Sequence, residues 1–301
     1  MRKTIFFGYE YFCKKLVNQL TEYDKENKYV FVSTNTFFNK LLAVYEILIS
    51  NNIFIIGGSI YGSKIIDLAL LFNKKIFIEW VGTDILIASE NYKNGFVNKD
   101  YIKKCIHLCE VGWTQEELKQ IGINAKICDI VTISSDECNN HKICDDGITV
   151  FSYIAQNRED FYGIELILKL AELYPNIKFR IAGTTGVNCK QLNNVKYLGW
   201  INNMNVEYDN CDIFMRLVQH DGLAFSVIEA LSRGKWVIYS YPFNYVQTYN
   251  NFDELKSVFD KLLQKIKNEE VNNKAKNFIF HRYEKENILY NIIKILGVNL
   301  Y

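Results

Sequence analysis

Short apolar runs alternate with longer amphipathic stretches from one end of this chain to the other, and this alternation constrains the fold more than any other feature. In the first half the runs are Thr4–Phe7, Tyr29–Ser33, Ile53–Ile56 and Ile76–Glu79, separated by helix-like segments at Tyr11–Leu20, Phe38–Ile49 and Ser63–Phe72. A strand buried on both faces reads as a nearly continuous apolar run, while a helix between two strands carries its apolar residues on one face. The rhythm therefore predicts an α/β protein whose mostly parallel sheets carry helices on both faces. The run Phe54-Ile55-Ile56-Gly57-Gly58-Ser59 ends in glycines, as loops at the C-terminal edge of such a sheet often do.

The polar stretch Ser134–His141 interrupts the pattern and is read as a linker. A second series follows, with strands at Ile148–Tyr153, Lys178–Ala182, Lys196–Leu198, Asp212–Arg216 and Trp236–Tyr239, and helices at Ile164–Leu173, Phe225–Ser232 and Phe252–Lys267. The simplest arrangement is two α/β domains around a cleft, 1–140 and 141–301. The last amphipathic segment, Lys285–Leu296, can pack on either.

Composition narrows the class of partner. Thirty-five Lys and Arg against 34 Asp and Glu leave a charge of +1, without the basic excess that nucleic-acid binding draws on. The eight cysteines are not densely spaced and are read as reduced thiols of a cytoplasmic protein. Met1–Phe7 starts like a signal sequence, but Glu10, Lys14 and Lys15 break up any secretory core. No run of 18 apolar residues is present, so no transmembrane segment is expected. Tyr11, Phe12, Lys14 and Lys15 read as a solvated helix face, with a peripheral membrane contact as the alternative. Cys138, His141 and Cys144 are metal-ligand types without a Cys-x-x-Cys pair, and no metal site is expected there.

The most informative stretch is Arg216–Ile238. It reads as a strand end, a polar loop with Gly222, a short helix, a stop at Gly234 and another buried strand. Gly222 permits close backbone approach to a ligand, and the N–H groups opening the helix suit a phosphate or a sugar hydroxyl. Glu229 lies eight positions after Asp221, which puts one carboxylate in the loop and the other a turn inside the helix.

Asp221-Gly222, then Glu229-Ala230-Leu231, then Gly234 before Val237-Ile238, resembles the donor-site signature of retaining GT-B glycosyltransferases (group 1, family-4-like). That resemblance implies two Rossmann-like doubly wound domains facing a central cleft, with the donor held by the C-terminal one. It implies transfer of a sugar from a nucleoside diphosphate sugar to a glycan, lipid-linked or other hydroxyl acceptor, with retention of configuration. No cofactor and no obligatory metal are implied. Glu229 would bind the donor ribose, while Asp221 and the amides of Gly222, Leu223 and Ala224 would hold the sugar. The first acid is Asp where the family most often has Glu.

The family's diphosphate is met by an Arg and a Lys after the first strand of the C-terminal domain. Here Tyr162-Gly163 stands where Lys-Gly is common, and Arg158 and Arg216 are the available substitutes, with Arg158 expected to be partly neutralised by Glu159 and Asp160. Gly183, in Gly183-Thr184-Thr185-Gly186, is expected beside the nucleotide. Gly82-Thr83-Asp84 resembles an acceptor-side element, with a helix cap as the alternative reading of Thr83 and Asp84. Two rival functions stay open: a sugar-nucleotide epimerase on the same fold, and a catalytically silent sugar-nucleotide or glycan-binding module.

Overall fold

The computed structural model describes residues 2–133 and 147–297. The linker proposed at Ser134–His141 and the Cys138, His141 and Cys144 trio lie outside these residues. The chain divides into two compact units, 1–132 with 285–301, and 133–284.

The first unit holds strands β1 (Lys3–Gly8), β2 (Lys28–Phe31), β3 (Asn52–Ile56), β4 (Lys75–Trp80), β5 (Ile106–Cys109) and β6 (Lys126–Ile127), in the order β2-β1-β3-β4-β5-β6. Every pairing is parallel. All five residues of β3 are buried, as its unbroken apolar run requires of a central strand. Helices α2 (Phe37–Ile49) and α3 (Lys64–Leu71) share one apolar core with the sheet through Ala43, Ile47, Ile66 and Ala69. Helix α1 (Glu10–Tyr23) builds another, with Cys13, Leu16 and Leu20.

The second unit holds β7 (Thr149–Tyr153), β8 (Lys178–Ala182), β9 (Val195–Gly199), β10 (Ile213–Arg216) and β11 (Trp236–Tyr239), ordered β11-β10-β7-β8-β9 and again all parallel. Helix α7 (Ile164–Leu173) and helix α10 (Phe252–Lys267) bury Ile167, Leu170, Phe259 and Leu262 in one core. Asn251 caps α10 by accepting from the Glu254 amide at 2.9 Å, which satisfies one of the donors a helix start leaves open.

Two strands depart from the sequence reading, and the packing it left open for the last helix is decided. Strands β5 and β6 were not anticipated, because His107 interrupts the apolar run of one and the other is two residues long. The last helix, α12 (Lys285–Leu296), belongs to the first unit and not to the 141–301 domain that contains it in sequence. Its Ile288, Leu289, Ile292 and Ile293 pack with Leu16 and Leu20 of α1, and the Leu296 carbonyl accepts from Asn52 Nδ2 at 3.2 Å. Among the six described cysteines none forms a disulfide, and burial pushes the thiols of Cys13, Cys105 and Cys109 up to about 12.

Candidate functional site

In the second sheet the strand order reverses between β10 and β7, so the chain leaves these neighbouring strands in diverging directions. Open α/β sheets bind ligands at such a switch point, outside the carboxyl ends of the strands. The two loops that emerge there, 154–163 and 217–224, contain Arg158, Asp221, Gly222, Leu223 and Ala224.

Backbone geometry locks the two loops together. Gly163 has φ +68°, and a Cβ at this position would lie 2.2 Å from the Leu217 carbonyl oxygen. The Gln219 amide donates to the Phe161 carbonyl at 2.9 Å. Gly163→Ala is therefore expected to cost at least about 1–3 kcal/mol, because both the contact and the left-handed backbone are unavailable to alanine. Chemical denaturation checks this; a variant as stable as the parent would show that the loops are not locked by this contact.

A third loop joins them. Gly183 has φ +91°, and its missing Cβ would fall 2.4 Å from the Ile154 carbonyl oxygen. Thr184 Oγ1 donates to Glu159 Oε1 at 2.6 Å, and the Thr185 amide donates to Gln156 Oε1 at 2.9 Å. The Thr184 hydroxyl holds the Glu159 carboxyl below its ordinary range. Glu159 thus serves the glycine loop, and the expected neutralisation of Arg158 by this acid is not found. Arg158 is exposed, follows Asn157 with its left-handed φ of 64°, and stacks over the Phe161 ring at 4.2 Å.

The arginine that meets a carboxylate is Arg216, at the end of β10. Its Nε donates to Asp221 Oδ2 at 2.7 Å, and the two side chains are 11% and 14% exposed. Burial works to lower the guanidinium's proton affinity, but the Asp221 charge and hydrogen bond override it and hold the group above its ordinary value. The guanidinium also lies 5.1 Å from the centre of the Tyr162 ring. Tyr162 is thereby the surface on which Arg216 rests. Among the described residues, neither terminal nitrogen of Arg216 makes a hydrogen bond.

Around this pair the loop is pinned from below. Tyr239 on β11 donates its hydroxyl to the Gly222 carbonyl at 2.9 Å. Burial pushes the Tyr239 phenol well above its usual range, with the Asp221 charge adding to the effect and Arg216 opposing it. Helix α9 (Phe225–Ser232) then begins after Ala224 as its N-cap residue, and Glu229 stands one turn in. Burial also raises the Tyr208 phenol, and here the Glu229 carboxylate adds and Arg216 again opposes. Asp221, Arg216 and Glu229 therefore share one electrostatic environment on one sheet edge. A cavity of about 390 Å³ on the α7 side of the loops is lined by Asp160, Glu165 and Gln219 and has no basic side chain, so it does not suit a phosphate.

Thr83 and Asp84 sit in the first unit. Thr83 is exposed at the start of helix α4 (Thr83–Lys93). Asp84 is buried, and its carboxylate accepts from the amides of Gly58 at 2.6 Å, Gly82 at 2.8 Å and Val81 at 3.2 Å. Those main-chain bonds tie two loops of the first unit together through Asp84. Sequence reasoning missed Tyr208 and Tyr239, which look like ordinary core residues until the fold turns their hydroxyls toward the acids. Among the described residues no group of three or more His, Cys, Asp or Glu is arranged to hold a metal ion, and no helix is long and apolar enough to cross a membrane.

Residues 145–291 match the family described as glycosyl transferases group 1. No curated protein sequence matches the chain. Among solved structures, Anabaena HepE in complex with UDP-glucose superposes with a TM-score of 0.76 at 12% identity, over 99% of this chain and 100% of that one. Sucrose-phosphate synthase from Thermosynechococcus elongatus gives 0.72 at 8% identity, over 98% of each chain. A glycosyltransferase from Rickettsia africae gives 0.69 at 12% identity, over 98% of this chain and 97% of that one. At these identities the superpositions establish the fold, and the family match lies on the unit that carries the switch-point loops. Residues 145–291 thus match the group 1 glycosyltransferases, and the chain as a whole is built on the GT-B fold.

Proposed function

We propose that this protein transfers a sugar from a nucleoside diphosphate sugar to a hydroxyl acceptor, with retention of anomeric configuration. The observation that carries the reading is Arg216: a mostly buried guanidinium at the switch point, held at Nε by Asp221 and against Tyr162, whose terminal nitrogens make no hydrogen bond among the described residues. In the reaction the bond between the sugar C1 and the β-phosphate oxygen breaks, and a C1–O bond to the acceptor forms. The acceptor proton passes to the leaving phosphate, so no dedicated base is required. Arg216, Arg158 and the first amides of α9 meet the charge that grows on the diphosphate, where preorganised donors act most strongly. Asp221 orients Arg216 and, with the amides of Gly222, Leu223 and Ala224, borders the sugar. Gly183 keeps its loop close to the nucleotide, and no metal is obligatory. Since HepE holds UDP-glucose and the pneumococcal O-GlcNAc transferase GtfA holds UDP and GlcNAc, UDP-sugars are the first donors to try.

Glu229 is assigned to the ribose hydroxyls. Glu229→Ala is expected to weaken nucleoside diphosphate binding by about 1.5–3 kcal/mol, the loss typical of hydrogen bonds to a charged group. Calorimetry measures it, and unchanged affinity in a folded variant removes the ribose assignment. The second reading, a silent sugar-nucleotide-binding module, is favoured by one observation: Tyr162 stands where the family's lysine would contact the diphosphate. Nucleotide release from a panel of UDP-, GDP- and ADP-sugars separates the two. Tight binding of a donor without release, across a range of hydroxyl acceptors, would establish the module.

A further inference from the structure

Helix α8 (Asn205–Asp209) sends one aromatic side chain, Tyr208, into the core of the second unit, where it is wholly buried. Phe151 of β7 and Phe214 of β10 pack steeply against its ring, with centroids 5.4 and 5.5 Å away. Such an apolar slot suits a phenylalanine. Tyr208 instead brings in a hydroxyl, and that hydroxyl meets no hydrogen-bond partner of ordinary geometry among the described residues. A buried polar group left unmatched costs stability, so packing alone does not account for it.

The acid that bears on this hydroxyl is Glu229, whose main chain is held firmly. Its carbonyl accepts from Ser232 Oγ at 2.8 Å and from Arg233 Nη1 at 3.0 Å. The same Arg233 guanidinium is buried; it donates from Nε to Asp209 Oδ1 at 3.1 Å and from Nη2 to Asn205 Oδ1 at 2.8 Å. It also lies 5.4 Å from the centre of the Tyr208 ring. One buried cation therefore ties both ends of α8 to the last turn of α9, and fixes the Tyr208 ring relative to the Glu229 backbone. The Glu229 side chain is only half-buried, and its charge reaches the Tyr208 phenol, raising it beyond what burial does.

We infer that Tyr208 is a positioning residue for ribose recognition: in the nucleotide-bound protein the Tyr208 hydroxyl donates to one Glu229 oxygen and leaves the other turned to the ribose. The inference rests on the proposed assignment of Glu229 to the ribose hydroxyls. A carboxylate has two acceptor oxygens, so one can be tied to the protein while the other meets the ligand. A charge-assisted bond from a rigid, fully packed phenol holds Glu229 in one rotamer, which a long side chain on a helix does not keep by itself. Tyr208 itself touches neither sugar nor phosphate. The selectivity it adds is for ribose over a sugar without hydroxyls, since a site built to bond hydroxyls rejects a ligand that lacks them.

Calorimetric titration of the full chain with UDP and with its dideoxy analogue, which lacks both ribose hydroxyls, tests it on the wild type, Tyr208→Phe and Glu229→Ala. GDP and ADP with their dideoxy analogues take over if UDP does not bind. The wild type is expected to prefer the ribonucleotide, and Glu229→Ala to lose that preference. Tyr208→Phe should cut the ratio of the two affinities roughly tenfold, through weaker ribonucleotide binding alone, with the affinity for the dideoxy analogue unchanged. Its ligand-free thermal melt should be no lower than that of the wild type, because the hydroxyl removed has no partner to lose. A hydroxyl with a purely structural role would change both affinities alike, or neither. If Glu229→Ala loses the preference while Tyr208→Phe keeps it, weakens both nucleotides equally or melts well below the wild type, the inference is overturned and the ribose assignment stands. If Glu229→Ala keeps the wild-type preference, or the wild type binds none of the three nucleotides, the ribose assignment fails and the inference with it.

Discussion

Replacing Arg216 with alanine is expected to lower turnover by at least roughly a hundredfold, while Arg158→Ala lowers it less than about tenfold. The two arginines differ in how they are held. Arg216 is fixed on three sides, by the strand it ends, by Asp221 at 2.7 Å and by the Tyr162 ring, so its guanidinium is held in place before any ligand arrives. Arg158 lies exposed over Phe161 and would have to be ordered on binding. A preorganised cation stabilises leaving-group charge without reorganisation, and that charge is greatest in the transition state. The Arg216→Ala loss should therefore persist at saturating donor, as a fall in kcat as well as kcat/KM.

The pairing adds an expectation that sequence reasoning alone does not provide. Arg216→Ala leaves a mostly buried Asp221 carboxylate beside the Tyr239 phenol without its cation. The double variant Arg216→Ala/Asp221→Ala should then be no worse than Arg216→Ala, because groups acting as one unit are not additive. Steady-state kinetics of the three variants decide the matter. Strict additivity would separate Asp221 from Arg216, and an inactive Arg158→Ala would move the diphosphate to the loop after β7.

The second large effect concerns stability, at a position outside the donor site. Glu79 on β4 is fully buried, and neither carboxylate oxygen has a hydrogen-bond partner among the described residues. Burial raises its proton affinity well above the ordinary carboxylate range, and the charges of Glu110, Asp84 and Asp129 raise it further. The folded protein therefore keeps a proton here at pH values where the unfolded chain, titrating near about 4.3, has lost it. Where the native state binds the extra proton, stability falls as pH rises. The slope is about 1.4 kcal/mol per pH unit, from the unfolded pKa up to the folded one. Glu79→Gln keeps the shape and removes the titration. It is expected to match the wild type near about pH 4.5 and to exceed it by a margin that widens as the pH is raised toward about 8. Urea unfolding of both proteins across that range measures the difference, in which the titrations they share cancel. A difference independent of pH would show that Glu79 is ionised in the folded state.

Periodicity and glycine placement determined a good part of this protein before any coordinates. The unbroken apolar run at Ile53–Ile56 marks a central parallel strand, because only a strand covered on both faces can be apolar throughout. The order of strand, polar loop, helix and strand from Arg216 to Ile238 places Asp221 and Glu229 at one sheet edge, since local chain direction alone sets that edge. Tertiary structure decided what those residues touch. That Asp221 holds Arg216, that Glu159 is taken by Thr184, and that Asp84 is filled by backbone amides are facts of distance between separate loops. The amphipathic pattern of Lys285–Leu296 required a partner but could not name it, because an apolar stripe is complementary to any apolar surface. The chain's path back to α1 chose the first unit. On α2 the apolar pattern likewise foretold burial, and the fold covered only a stripe of it, since one sheet face can take up only one side of a helix.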